Sequence, residues 1–232
     1  MTKQHLKALN TPRTWNVARK ATTFVTRPHP GAHPLQFGIS LNHVIKHELQ
    51  LAHTTKEVKL ILTKRECLVN TRPAVDIHHI VGLFDVVSFP LLKKYYRVVL
   101  NNRGKLVLIE IPEKESTVRI SKVINKTLMK KGLLQVNLFD SRNITLDTKT
   151  TIKTGTTLLI ELPTQKILKE FAFKEGCTIL LIGGKHIGSL GTLEQITDQG
   201  VVFKSTTDGK SYQTLLKYVF VVGDKSPEIT VQ

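Results

Sequence analysis

Apolar residues recur at helical spacing only in one early stretch of the chain. Leu41, Val44, Ile45 and Leu49 fall on one face, which predicts a helix over 40–51. A second helix is predicted to begin at Thr54. Thr54-Thr55-Lys56-Glu57 has the capping-box spacing, in which the Thr hydroxyl accepts from the backbone of Glu57 and the Glu57 carboxylate reaches back. Val58, Ile61 and Leu62 then form its buried stripe, and Lys56, Lys59 and Lys64 point elsewhere as a basic edge. From Cys67 the period changes to that of strands. Cys67–Val69, Phe84–Phe89, Tyr95–Leu100 and Lys105–Ile109 are short apolar runs, the last two joined by the hairpin signal Asn101-Asn102-Arg103-Gly104. Further runs at Val118–Val123, Leu133–Leu138, Ile144–Leu146 and Leu158–Leu162 are separated by turn residues such as Asp140-Ser141-Arg142-Asn143, which suggests a small β-barrel or sandwich. Thr178–Ile182, Val201–Lys204, Tyr212–Leu216 and Tyr218–Val222 complete the series, with Asp208-Gly209 as a turn. The expected fold class is α+β and mostly β.

Composition adds a partner. The 232 residues contain 34 Lys and Arg against 18 Asp and Glu, a net charge of +16, and 41% hydrophobic residues suffice for cores. Such an excess repels itself unless an anion neutralises it. The charge is graded. Residues 1–38 hold six cations (Lys3, Lys7, Arg13, Arg19, Lys20 and Arg27) and no acid; residues 39–112 and 113–170 are each net +5; residues 171–232 are neutral. No apolar run approaches the roughly 20 residues that span a bilayer, and no apolar stretch follows the N-terminal cations as in a secretory signal, so membrane is the weaker partner. Cys67 and Cys177 form no CxxC pair, which leaves a disulfide framework and a zinc ribbon unsupported and fits a reducing cytoplasm. The first segment also carries Pro12, Pro28, Pro30 and Pro34 with little apolar periodicity; it is expected to be an arm that orders on RNA rather than a contributor to a core. Trp15 either stacks on a base or packs on the following domain, the second being preferred.

Catalytic and cofactor signatures are missing. His43 and His47 lie one helical turn apart, but Val44 follows His43, so HExxH lacks its base; the adjacent His78-His79 point opposite ways in a strand. Neither pair predicts a metal site. The cluster Gly183-Gly184-Lys185-His186-Ile187-Gly188-Ser189-Leu190-Gly191 fails the spacing of both phosphate-binding glycine motifs, and no helix pattern follows it. No cofactor, small-molecule substrate or catalytic residue is predicted.

The segment Ser40–Phe89 resembles the small RNA-binding module shared by ribosomal protein four, pseudouridine synthases and tyrosyl-tRNA synthetases. In that family the second helix and the following turn lie against RNA backbone. The resemblance implies Lys56, Lys59, Lys64, Arg65 and Arg72 as contacts, consistent with cations tracking a phosphate row without reading sequence. The family carries glycine where this chain has Arg65 and Thr71, so these residues either bear backbone strain or adopt another turn. Phe173–Ile196 resembles a KOW motif, with Gly176, Gly183, Gly188 and Gly191 in its loops and Lys185 and His186 expected at the exposed tip.

The order of these modules is the more specific feature. Pro12-Arg13-Thr14-Trp15 and Arg27-Pro28-His29-Pro30-Gly31 precede the first module, which ends in Val81-Gly82-Leu83-Phe84-Asp85-Val86. Tyr96-Arg97-Val98 and Gly104-Lys105-Leu106 follow, and the glycine cluster leads to Tyr218–Gly223. The series resembles the small-subunit ribosomal protein family S4e of archaea and eukaryotes over nearly the whole chain, and the chain stops soon after Gly223 as in archaeal members. The resemblance implies a basic N-terminal extension (1–38), a two-helix RNA-binding module (39–92), a central β domain (93–170) and an SH3-like KOW barrel (171–232). It implies a structural, non-enzymatic role in the cytoplasmic ribosome, with small-subunit ribosomal RNA and neighbouring ribosomal proteins as partners. Arg142, in the turn after Asp140, joins the expected RNA contacts. The competing readings are a non-ribosomal RNA chaperone or KOW-type transcription or translation factor, and an RNA-modifying enzyme. The latter needs a large catalytic domain, and residues 113–232 are too short and too β-rich for one.

Overall fold

The computed structural model describes residues 5–147, 152–197 and 200–231. The chain forms two compact units: residues 1–99 with 105–117, and residues 100–104 with 118–232. No helix is long and apolar enough to cross a membrane among the described residues.

In the first unit the predicted face of the first helix is the one that is buried. Leu41, Val44 and Ile45 are fully enclosed. The helix opens as α over Leu41–His43 and widens to π winding over Val44–Glu48. Gln50 follows it with φ 53°. The second helix, Thr55–Thr63, carries the capping box expected at Thr54 and Glu57, and buries Val58 and Leu62. Ile61 is only half-buried, which corrects its assignment to the core stripe; the buried ridge is narrower than the sequence pattern implied. Strands follow in the order Arg72–Pro73, Leu68–Val69, Val86–Phe89, Lys94–Leu100 and Leu106–Glu110, and a second pairing joins Gly38–Ser40 to Ile80–Gly82.

The N-terminal segment is not the coreless arm that its composition predicts. Leu6–Lys7 pairs with Phe24–Val25. Ala8 and Trp15 are each 1% exposed. The Trp15 indole donates to the carbonyl of Leu35 at 3.0 Å, and the Trp15 carbonyl accepts from Lys105 Nζ at 2.8 Å. Leu106 N donates to the Thr14 carbonyl at 2.7 Å. One tryptophan and a few backbone bonds to neighbouring strands replace the missing periodicity, because an aromatic ring alone buries on the order of 200 Å².

In the second unit an 11-residue strand, Val118–Leu128, serves two partners. Its first half pairs with Thr157–Glu161 and its second with Leu133–Leu138, and a register shift between Val123 and Asn125 bends it between them. Asn143–Asp147 and Ile167–Phe171 complete this five-stranded sheet at its two edges. Val123, Val136, Leu138, Ile152, Leu158 and Ile160 form its core. The remaining strands run in the order Ser211–Thr214, Gly200–Ser205, Leu190–Thr197, Thr178–Leu181 and Val219–Gly223, so the last strand returns beside the first. Gly188, at φ 79°, is obligatory there: a Cβ would stand 1.9 Å from the carbonyl oxygen of Asn101.

Candidate nucleic-acid interface

The basic edge is built from a helix whose two ends are both locked. At the N-terminus the Glu57 carboxylate accepts from the backbone of His53 at 2.8 Å and Thr54 at 3.3 Å, and these donors hold its pKa below the usual carboxylate range. At the C-terminus Arg65 N donates to Leu62 O at 3.0 Å and Glu66 N to Ile61 O at 3.3 Å. This is the Schellman arrangement, and it requires a left-handed residue after the cap. Arg65 fills that place with φ 57°. Lys56, Lys59, Lys64 and Arg65 are all exposed, and three-residue spacing puts Lys56 beside Lys59.

The following hairpin repeats the feature. Leu68–Val69 pairs with Arg72–Pro73 across a two-residue turn, in which Asn70 has φ 50° and Thr71 φ 66°. Two positive angles define a type I′ turn, usually Asn-Gly. The chain therefore keeps the backbone that glycine favours at Arg65 and Thr71 and accepts the strain of a side chain at both. A buried polar cluster explains how the turn is held. Asp85, 2% exposed, accepts from Asn70 Nδ2 at 2.6 Å and from Gly82 N at 2.6 Å. His33 Nε2 lies 2.9 Å from the same carboxylate. Asn70 Oδ1 in turn accepts from Val86 N at 3.1 Å. Gly82 must be glycine, since a Cβ there would fall 2.2 Å from the His33 ring. The N-terminal segment thus braces, through His33, the corner that presents the exposed Arg72.

The other predicted contacts are scattered. Lys7, Arg13, Arg19, Lys20 and Arg27 are exposed on the N-terminal segment, with Arg19 donating to the Thr11 carbonyl at 3.2 Å. Lys3 lies outside the described residues. Arg142 stands 3.2 Å from the buried carboxylate of Asp140, which also faces Arg119 at 3.4 Å and accepts from Ser121 at 2.9 Å. Lys185 is exposed, but His186 is half-buried with its ring 4.1 Å from that of Tyr212, so the expected exposed tip carries one cation and not two groups.

Two cations prove to be interior, among them Arg97 of the Tyr96-Arg97-Val98 run. Arg97 is fully buried, its guanidinium donating to Glu115 Oε2 at 2.8 Å and to the Glu115 carbonyl at 2.9 Å, and Arg119 is 2% exposed. Sequence reasoning also passed over exposed apolar residues beside lysines. Leu91 and Leu92 are 74% and 54% exposed ahead of Lys93 and Lys94, and Leu128 and Met129 are 70% and 42% exposed ahead of Lys130. An apolar pair followed by lysine at a strand end was the available signal. His43 is buried beside Glu48 at 3.7 Å, and no group of metal-binding residues forms among the described residues.

Two family models match: "Ribosomal family S4e" over residues 92–167 and "RS4NT (NUC023) domain" over residues 2–36. Among relatives, the small ribosomal subunit protein eS4 of Methanosphaera stadtmanae is 38% identical, over 99% of this chain and 96% of its own length. The chain belongs to the S4e family of small ribosomal subunit proteins. The eS4 protein of Methanocaldococcus jannaschii is 36% identical, over 98% of this chain and 97% of that one. The crystal structure of the 30S ribosomal protein S4e from Thermoplasma acidophilum matches with a TM-score of 0.68 and 25% identity, covering 81% of this chain and 95% of that chain. These S4e relatives are archaeal.

Proposed function

We propose that the protein is a structural constituent of the small ribosomal subunit that binds ribosomal RNA through backbone-directed cations and catalyses no reaction. The observation that supports this most directly is the exposed row Lys56, Lys59, Lys64 and Arg65 on a doubly capped helix, continued by Arg72 on a braced turn. Lysine and arginine at a rigid edge neutralise phosphates and fix orientation without reading bases. In this reading Lys7, Arg13, Arg19, Lys20 and Arg27 of the N-terminal segment and Lys185 of the last sheet add further phosphate contacts, with Lys3 at its start, while Arg142 and His186 divide their role between RNA and internal partners. The segments 1–38, 39–92, 93–170 and 171–232 act as four RNA-facing parts in the cytoplasmic ribosome, beside neighbouring ribosomal proteins. Two measurements test it. In sucrose gradients the protein sediments almost entirely with the small subunit; a mainly free pool overturns the assignment. Affinity for isolated small-subunit RNA falls roughly a thousandfold or more between about 50 and 200 mM salt, as expected if about six to ten phosphates are neutralised; a flat salt response overturns the electrostatic account.

A further inference from the structure

Between the N-terminal segment and the π-wound helix lies a cavity of about 430 Å³, within the ~300–1,000 Å³ range of small-ligand pockets. Val17 and Phe24 line one part, and Asn42, His43, Lys46 and His47 another. Asn42 is only 6% exposed. Its amide nitrogen donates to the Thr26 hydroxyl at 2.6 Å, while its Oδ1 has no hydrogen-bond partner among the described residues. The His43 and His47 rings lie 4.7 Å apart, tilted by 32°, at the wall. A smaller recess of about 260 Å³ adjoins, lined by Lys46, His47, Gln50 and His53. The two recesses share Lys46 and His47, and among the described residues no carboxylate lines either. The nearby acids are engaged elsewhere: Glu48 faces His43 at 3.7 Å, and Glu57 closes the capping box.

We propose that this pair of recesses takes one unstacked RNA nucleotide, its base in the larger and its phosphate in the smaller. The proposal rests on the RNA-binding reading above and adds base selection to it. A base needs a π-face and a polar edge. The tilted imidazole pair and Phe24 supply the first, and the unpartnered Asn42 Oδ1 the second; base stacking combined with hydrogen bonds to the base edge is how single-stranded RNA is commonly read. The phosphate needs a cation and hydrogen-bond donors without competing carboxylates, which Lys46, Gln50 and the histidine rings of the smaller recess provide. Burial, then the neighbouring His43 and Lys46, lower the His47 pKa, so at neutral pH its ring is an uncharged stacking surface. A protein side chain in the larger recess would leave the cationic recess without an anion.

The test uses the full-length protein. Amide shifts are followed by NMR during titration with AMP, GMP, CMP, UMP and inorganic phosphate. Ribosomal RNA binding is measured for Ala18→Trp and, as an independent second filler, Ala21→Trp; both alanines are exposed and line the larger recess, and neither change alters charge. Amide spectra verify that each variant is folded. Nucleotides are expected to shift residues 16–26 and 42–55 with one base preferred, and phosphate alone only the residues around Lys46 to His53. The tryptophan variants are expected to bind ribosomal RNA roughly five- to 150-fold more weakly, the range for losing one stacked base, at an unchanged salt slope. Identical shifts from phosphate and all four nucleotides overturn the proposal. So does wild-type RNA affinity in both folded fillers, in which case the steep salt slope of the wild type still stands and the RNA-binding reading survives. If the wild type itself fails to bind ribosomal RNA, the parent reading falls and takes this one with it.

Discussion

Replacing Thr71 by glycine is expected to stabilise the protein without changing its affinity for RNA. Thr71 has φ 66° in a type I′ turn, a conformation that costs an L-residue roughly 1–2 kcal/mol and suits β-branched side chains least. Glycine removes that strain. It returns about 0.5–1 kcal/mol through the greater freedom of the unfolded chain. It also deletes the hydrogen bond from Thr71 Oγ1 to the Asn70 carbonyl at 2.6 Å, a half-exposed interaction worth about 0.5 kcal/mol. With mid-range values the net gain is about 0.3 kcal/mol, reaching about 1 kcal/mol where the strain is at the upper end. In a chain of this size that raises Tm by ~1–4 °C. Thr71→Ala is the control, because it loses the same hydroxyl but keeps the Cβ; it is expected to lose about 0.5 kcal/mol, leaving the two variants ~1 kcal/mol apart in urea unfolding. Equal midpoints for the glycine and alanine variants would refute the reasoning, since they would mean that the Cβ strain at position 71 does no more than offset the chain entropy that glycine costs. RNA affinity and salt slope stay unchanged in both, as Thr71 carries no charge. Arg65→Gly differs in that respect: it relieves a similar angle but removes a cation, so it lowers the salt slope by about 0.9 while sparing stability.

The remaining predictions concern burial and charge. Asp85→Ala is expected to cost about 3–5 kcal/mol in urea unfolding, because it strands His33, Asn70 and the Gly82 amide in the interior; a loss under about 1 kcal/mol would contradict the bracing role. Leu62→Ala is expected to cost about 2–5 kcal/mol and Ile61→Ala clearly less, because Leu62 is fully buried and Ile61 is not; the reverse order in thermal melts would mean a rotated helix face. His47, lowered from 6.5, binds its proton less readily in the folded chain than in the unfolded one, so its contribution to stability is present above about 6.5 and is lost as pH falls through that window. His47→Gln should therefore flatten the stability profile between about pH 7 and 5, and identical profiles for variant and wild type would count against it. Burial pushes the Cys67 thiol up to about 12, so alkylation by iodoacetamide near pH 8 should require unfolding; rapid labelling of the native protein at Cys67 would contradict its enclosure.

Local chemistry made part of this protein legible in advance. The capping box at Thr54 and Glu57, the face Leu41, Val44 and Ile45, and the short apolar runs through Tyr95–Leu100 and Thr178–Leu181 depend on neighbours within a turn or a strand, and the sequence determined them. The exposed positions of Lys56, Lys59 and Lys64 followed from the same helical period. Leu190–Thr197 was not read as a strand because Gly191, Glu194 and Gln195 break its apolar pattern; pairing on both sides, with Thr178–Leu181 and Gly200–Ser205, holds it extended regardless. Long-range partners decided the rest. Arg97 and Arg119 look like surface cations until Glu115 and Asp140 meet them in the interior. Trp15 and His33 belong to a segment with no periodicity, and only the distant Leu35 carbonyl and Asp85 carboxylate enclose them. The recess at Asn42, His43 and Lys46 exists because the N-terminal segment folds back over the π-wound helix. A period along the chain fixes which face of an element is apolar, but a buried charge or a cavity needs two segments brought together from afar, and that information is spread over residues with no fixed spacing.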